Sequence, residues 1–245
     1  PTLYLNNNVN GFISLLGAML KTKCRKVILS SSACVYGNPN QLPIKEGHEL
    51  KPLNVYGQTK LMCEQILTSY SKSNEKIQFS ILRYFNPIGA HQSGLIGEDP
   101  LGEPSNLIPY LSQVAIGVRK SINIFGNDYK TLDGTGVRDY IHIDDLVAGH
   151  FASLEKIFST NKNIICNLGT GRGYSVLEMI NAYEQACGKK IHYNFVSRRT
   201  GDIDASYADI TYAKSVYKWE AKKSLLEMCT SSWNWQKNNP SGYKF

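Results

Sequence analysis

Lys26-Val27-Ile28-Leu29-Ser30-Ser31-Ser32 is a short apolar run that ends in three hydroxyls, and it reads as a buried strand. Ahead of it, Val9, Phe12, Ile13, Leu16 and Leu20 recur at helical spacing, with asparagines placed to cap that helix. A helix leading straight into a buried strand is half of a βαβ unit without its opening strand. The chain therefore reads as beginning inside a parallel sheet. Beyond a proline-bearing loop over 33–53 comes Asn54-Val55-Tyr56-Gly57-Gln58-Thr59-Lys60-Leu61-Met62-Cys63-Glu64, the start of a helix continuing through Ile66, Leu67 and Tyr70. Tyr56 and Lys60 are four apart, so their side chains share one helix face, about 5–6 Å apart at Cβ. A tyrosine that exchanges protons near neutral pH needs its pKa of ~10 brought down, and a neighbouring ammonium does that. A hydroxyl from the end of the adjacent strand could share the same substrate oxygen. Tyr-x-x-x-Lys by itself fits an amphipathic helix with a surface Tyr and Lys equally well, so the rest of the chain decides.

Outward from these stretches the pattern alternates. Gln78–Phe85 reads as a strand stopped by Asn86-Pro87, and residues 86–105 as a Gly/Pro/acid-rich loop long enough to carry function. A helix near Leu107–Ile116, a strand over Ile122–Phe125, the Arg138–Ile143 segment and a helix capped by Asp144 or Asp145 follow. Ile164–Leu168 reads as a buried strand. Ser175-Val176-Leu177-Glu178 and Ser224-Leu225-Leu226-Glu227 are capping boxes that open helices. Strand alternating with helix argues for an α/β fold with a mainly parallel sheet. Asn167-Leu168-Gly169-Thr170-Gly171-Arg172-Gly173 sits where a dinucleotide fingerprint would sit. Its third glycine comes one residue early and no acidic residue follows at the required distance, so it reads as a tight turn.

Composition narrows the function classes. The 245 residues are 42% hydrophobic and 19% charged, enough for a sizeable core. No apolar run reaches the ~18 residues a bilayer requires, and no membrane association is expected. The 27 basic residues give a net charge of +7 but form no stripe, which argues against nucleic acid and for a small phosphorylated ligand. Six cysteines (24, 34, 63, 166, 187, 229) contain no C-x-x-C pair and read as reduced, mostly buried thiols of a cytoplasmic protein. No His/Cys/carboxylate spacing marks a metal site.

Four blocks then occur in a telling order: Ser30–Gly37 (Ser-Ser-Ser-Ala-Cys-Val-Tyr-Gly), Tyr56-Gly-Gln-Thr-Lys60, Leu82-Arg83-Tyr84-Phe85-Asn86-Pro87 and Gly136-Val137-Arg138-Asp139-Tyr140-Ile141-His142. Together they closely resemble the UDP-glucose 4-epimerases, a family of the extended short-chain dehydrogenase/reductase superfamily. The likeness runs from Asn6–Gly11 through Gly97–Pro100, Ile124–Tyr129 and Arg198–Asp202 to Trp233–Gln236. The resemblance implies a Rossmann-like, doubly wound parallel sheet with a smaller interwoven α/β substrate-binding lobe. Residues 1–87 would be the later part of the NAD-binding domain and 88–245 mainly the UDP-sugar lobe, with 168–185 the stretch that could return to the first part.

The family opens with a Gly-rich phosphate-binding turn that this sequence lacks. At ~30 residues per βαβ unit, about 90 residues would be absent, and a fragment of a longer protein is expected. The sheet would then show an unpaired edge and bare apolar faces, and a chain of this extent is expected not to turn over UDP-sugars by itself.

By resemblance, Tyr56 would be the base at the sugar 4-hydroxyl, Lys60 its cationic partner and Ser32 a hydrogen-bonding neighbour of the same oxygen. Asn7, Ser32, Tyr56, Lys60, Tyr84 and Phe85 match NAD-binding positions. Asn86, Asn106, Leu107, Asn123, Phe125, Arg138, Arg199 and Asp202 match the UDP-sugar pocket, the two arginines facing the diphosphate; Arg138 could instead pair with Asp139 or Asp144. Ser206 falls where glucose-only members carry a bulky aromatic, so N-acetylated UDP-sugars are expected as further substrates. A homodimer is expected of the intact protein. Two other readings stand beside this one. A nucleotide-sugar dehydratase would need an acid or base beside Ser32, where Ala33 and Cys34 offer none, and a truncated remnant would at most bind UDP-sugar.

Overall fold

A computed structural model of the protein describes residues 1–73 and 77–243. The chain opens with α1 (Thr2–Tyr4), a π-helical turn over Leu5–Asn10 and α2 (Gly11–Leu20). The asparagines expected as caps therefore lie inside the helical run, and Asn8 instead donates to Thr59 Oγ1 at 2.9 Å. β1 (Lys26–Ser32) takes in all three serines and ends in a 3-10 turn over Ala33–Val35 capped by Ser32. α3 (Val55–Ser73), β2 (Gln78–Tyr84), β3 (Asn86–Ile88), α4 (Leu107–Ala115), β4 (Ile122–Phe125) and β5 (Val137–His142) follow. The remaining elements are α5 (Ile143–Ser159), β6 (Ile164–Leu168), β7 (Gly173–Ser175), α6 (Val176–Cys187), β8 (Tyr193–Val196), β9 (Ala205–Ser206), α7 (Thr211–Tyr217) and α8 (Leu225–Asn238).

Two local expectations are corrected. Asn86-Pro87 does not end the extended chain; the break falls at Phe85, and Asn86 starts β3 opposite Tyr140. Asp144 and Asp145 do not cap α5 but lie in its first turn. The Asp145 carboxylate accepts the backbone amides of Lys222 and Lys223, at 3.0 and 2.8 Å, and so anchors the approach to α8.

The described residues form two compact units. The first comprises Pro1–Phe85, Val147–Gly171 and Ala208–Glu220. Its sheet is parallel, in the order β1-β2-β6, with Ser31 opposite Arg83, Ser32 opposite Tyr84 and Leu82 opposite Cys166. Phe79 and Ile81 pack with Phe12, Leu16 and Met19 of α2 and Cys63 and Leu67 of α3. Ser80 points to the other face and meets Ser153 of α5 at 2.8 Å and Tyr217 of α7 at 2.7 Å. Because successive strand residues face opposite sides, the sheet carries helices on both faces, which is the doubly wound arrangement. β1 pairs only with β2 among the described residues, and α5 leaves Val147, Phe151, Leu154 and Phe158 exposed. Gly57 lets α3 approach the turn after β1: a Cβ there would lie 2.7 Å from the Cys34 carbonyl oxygen.

The second unit comprises Asn86–Leu146, Arg172–Tyr207 and Ala221–Phe245. β5 is its hub, parallel to β3 and β9 and antiparallel to β7, while β4 and β8 form a separate parallel pair. Its core gathers Ile108 and Leu111 of α4, Met179, Ile180 and Tyr183 of α6, Met228 and Cys229 of α8, and Ile122, Ile124 and Tyr140 from the strands. Both capping boxes form, Ser175 with Glu178 and Ser224 with Glu227, each satisfying orphan amides at a helix start.

Candidate active site

In the first unit, Ser32, Tyr56, Lys60 and Tyr84 come together at the carboxyl ends of β1 and β2 and the first turns of α3. Parallel sheets deliver their chemistry at these strand ends. The Ser32 hydroxyl accepts the amide of Cys34 at 3.2 Å and stands beside the Tyr56 phenol, near enough to oppose the rise in its pKa. Lys60 Nζ lies 5.7 Å from the centroid of the Tyr56 ring and donates to the Ser30 carbonyl at 2.9 Å. Tyr4 packs edge-on against Tyr56 at 6.1 Å. Ser30 Oγ pairs with His150 Nε2 at 3.1 Å and hydrogen-bonds Tyr84.

The electrostatics differ from the expectation of a depressed phenol. Burial pushes Tyr56 up to about 12, the neighbouring Tyr84 and Cys34 add to the rise, and the Ser32 hydrogen bond only partly opposes it. The ammonium of Lys60 is itself desolvated, and its pKa is lowered by that burial. Burial, which penalises the charged phenolate, is thus the dominant effect in this state.

The other residues expected at a nicotinamide cofactor divide. Lys60 spends one N–H on Ser30, and an ammonium has three, so donors remain for a ribose diol. Tyr84 is half-buried beside Ser30 and fits the same role. Asn7 is exposed in the π-helical turn. The Phe85 side chain is 5% exposed and packed among Val35, Tyr36, Ile44 and Leu61, so it belongs to the core and leaves only its backbone to face a ligand.

In the second unit a cleft of about 250 Å³ is lined by every UDP-sugar candidate except Ser206: Asn86, Asn106, Leu107, Asn123, Phe125, Arg138, Arg199 and Asp202. Arg138 is held by the Val137 and Ile203 carbonyls at 2.8 and 2.9 Å and lies 3.8 Å from Asp202. Asp202 is thus an ion-pair partner of Arg138. The Arg199 guanidinium lies over the Phe125 ring, its Cζ 3.7 Å from the centroid, a cation–π contact between two residues that line the cleft. Ser206 is buried on β9 in register with Arg138.

Tyr110, Tyr129 and Tyr140 also line the cleft and were not picked out from the sequence. Tyr129 stands in the quoted Ile124–Tyr129 block; it is brought inward by the turn at Gly126, whose φ of +85° favours glycine. Cys63, Cys166 and Cys229 are buried as expected, Cys187 is half-buried, and Cys24 and Cys34 are exposed, the latter two residues beyond Ser32.

A profile of the NAD dependent epimerase/dehydratase family matches residues 1–169. Over 244 residues the chain is 52% identical to a UDP-glucose 4-epimerase of Bacillus subtilis, covering 100% of this chain and 72% of that protein. Among solved structures, UDP-glucose 4-epimerase from Bifidobacterium longum in complex with NAD+ and UDP matches with a TM-score of 0.95 at 48% identity, over 99% of this chain and 72% of that one. The UDP-glucose-4-epimerase of Stenotrophomonas maltophila, with bound NAD and formylated UDP-arabinopyranose, gives a TM-score of 0.95 at 44% identity, over 98% and 71%.

Proposed function

The chain belongs to the NAD dependent epimerase/dehydratase family, and from that premise we propose that it interconverts UDP-glucose and UDP-galactose at sugar C4 with NAD as cofactor. The observation that carries the proposal is the grouping of a phenol, a neighbouring hydroxyl and an ammonium at one set of parallel strand ends. Tyr56 takes the proton of the sugar 4-hydroxyl and returns it, and Ser32 hydrogen-bonds the same oxygen. When bound, NAD supplies the hydride acceptor that allows a 4-keto sugar to form and be reduced again with no net redox change. Lys60, with Tyr84 and the exposed Asn7, is assigned to the cofactor's polar groups. A buried phenol becomes a base only when positive charge offsets its desolvation; Lys60 and the oxidised nicotinamide are the two cations in this reading.

The second unit is assigned the nucleotide. Arg138 and Arg199 meet the diphosphate, where a planar guanidinium suits phosphate oxygens, while Phe125 offers a flat face to the base and Asn86, Asn106, Leu107, Asn123 and Asp202 complete the cleft. Ser206 is proposed to admit N-acetylated UDP-sugars, because a small side chain stands beside Arg138. The proposal includes a cytoplasmic homodimer, the location being in keeping with six free cysteines. No described helix is long and apolar enough to cross a membrane.

Turnover is the test. Purified protein that carries this chain together with the Gly-rich opening segment expected of the family, given UDP-galactose and NAD, forms UDP-glucose, and Tyr56→Phe loses roughly 10²- to 10⁴-fold in kcat. A Tyr56→Phe protein that retains its full rate would remove the proposed base.

A further inference from the structure

Glu64 lies two turns beyond Tyr56 on α3, so Tyr56, Lys60 and Glu64 form one stripe of that helix. Its buried carboxylate receives Arg83 through Nε, at 3.0 and 3.2 Å to its two oxygens, and through Nη2 at 2.6 Å. Ser31 Oγ donates to the same carboxylate at 2.5 Å. Arg83 Nη1 donates onward to the Tyr36 hydroxyl at 3.1 Å and the Glu46 carbonyl at 3.0 Å. Tyr36 in turn donates to Asn167 Oδ1 at 2.6 Å, and Asn167 Nδ2 donates to the Ile44 carbonyl at 2.9 Å. One helix, three neighbouring strands and the loop after β1 thus meet at a single buried ion pair.

The register shows what this junction holds. Ser31 stands opposite Arg83, and Ser32 opposite Tyr84. Since successive strand residues face opposite sides, the network grips the residue directly behind each of two site residues. The third grip is on the helix that carries Tyr56 and Lys60. Stability alone does not call for charges here: burying two ions costs desolvation that their attraction seldom more than offsets, and a well-packed apolar pair serves as well or better. Charged groups differ from apolar ones in fixing direction and distance through several hydrogen bonds at once.

We propose that the buried Glu64–Arg83 pair is a positioning device, which sets α3 against the ends of β1 and β2 and thereby places the Tyr56 phenol against Ser32. The proposal rests on the proton-transfer reading of Ser32, Tyr56 and Lys60. Neither Glu64 nor Arg83 touches substrate in it; both act through their neighbours.

The test compares the parent protein with Glu64→Met/Arg83→Met, in which apolar side chains of similar length fill the site, and with Glu64→Gln, which keeps shape and removes charge. The double variant is expected to unfold near the parent temperature, to lose on the order of 10²-fold in kcat, and to keep its UDP-sugar KM within about twofold. Its crystal structure is expected to show the Tyr56 hydroxyl displaced away from Ser32 relative to the parent. A kcat within about twofold of the parent, or an unchanged Tyr56–Ser32 contact, would overturn the proposal. Should the double variant not fold, Glu64→Gln is read by the same two measurements. A parent protein inactive on UDP-sugars would sink the functional reading instead, and the Tyr56–Ser32 contact would still decide the positioning role.

Discussion

Lys60 donates a hydrogen bond to the carbonyl of Ser30, with Nζ 2.9 Å from that oxygen and 5.7 Å from the centroid of the Tyr56 ring. The strand end therefore fixes where the ammonium stands before any ligand arrives. A cation anchored by backbone is pre-organised, and its field at the phenol needs no reorganisation at the moment of proton transfer. Lys60→Met removes both charge and anchor. It is expected to lower kcat on the order of 10²- to 10⁴-fold while UDP affinity, measured by calorimetry, stays at the parent value. Equal losses in kcat and UDP affinity would count against this separation of roles.

The guanidinium of Arg199 covers the Phe125 ring at 3.7 Å, and both line the cleft of the second unit. Arg199→Met is expected to weaken UDP binding roughly 10- to 100-fold, the range for losing a charge-assisted hydrogen bond. Arg199→Lys should recover only part of it, since an ammonium keeps the charge and loses the planar fork. Titration with UDP and with uridine separates the causes: the loss is expected for UDP alone if the diphosphate is the partner.

Ser206 is buried in register with Arg138. Ser206→Tyr fills that place with a ring and is expected to abolish turnover of UDP-N-acetylglucosamine while sparing UDP-glucose. Parallel loss on both substrates would show that the residue supports the strand rather than choosing the sugar.

Alkali should destabilise the protein through its buried phenols. Tyr36, Tyr56, Tyr140 and Tyr217 are each raised to about 12, with burial the leading cause. In the unfolded chain they ionise near ~10, so between these values the unfolded state has released protons that the folded state still holds. The stability they lend is complete below about pH 10 and is lost as pH rises through about 12. The urea midpoint is expected to fall steadily over that window, and a flat profile would mean that these phenols reach solvent.

Much of this was written in local sequence. The Val27–Ser32 run, the four-residue spacing of Tyr56 and Lys60, and both Ser-x-x-Glu boxes declare themselves within a few residues, and each forms as read. The cleft residues emerged because the family blocks carry them, and eight of the nine line one cavity. What stayed hidden depends on partners distant in the chain. Phe85 reads like a site residue, yet its ring is claimed by Val35, Tyr36, Ile44 and Leu61. Glu64 reads as one acid on a helix until Arg83 and Ser31 are folded against it. The raised pKa of Tyr56 is likewise a property of burial, which spacing to Lys60 does not encode.

Each unit is assembled from three separate segments, and the chain passes from one to the other repeatedly between Phe85 and Ala221. No single cut, insertion or crossover in that span exchanges one unit while leaving the other whole. The second unit cannot travel as a cassette from one gene to another. Change in such a chain has to come residue by residue, inside a frame whose two halves are inherited together.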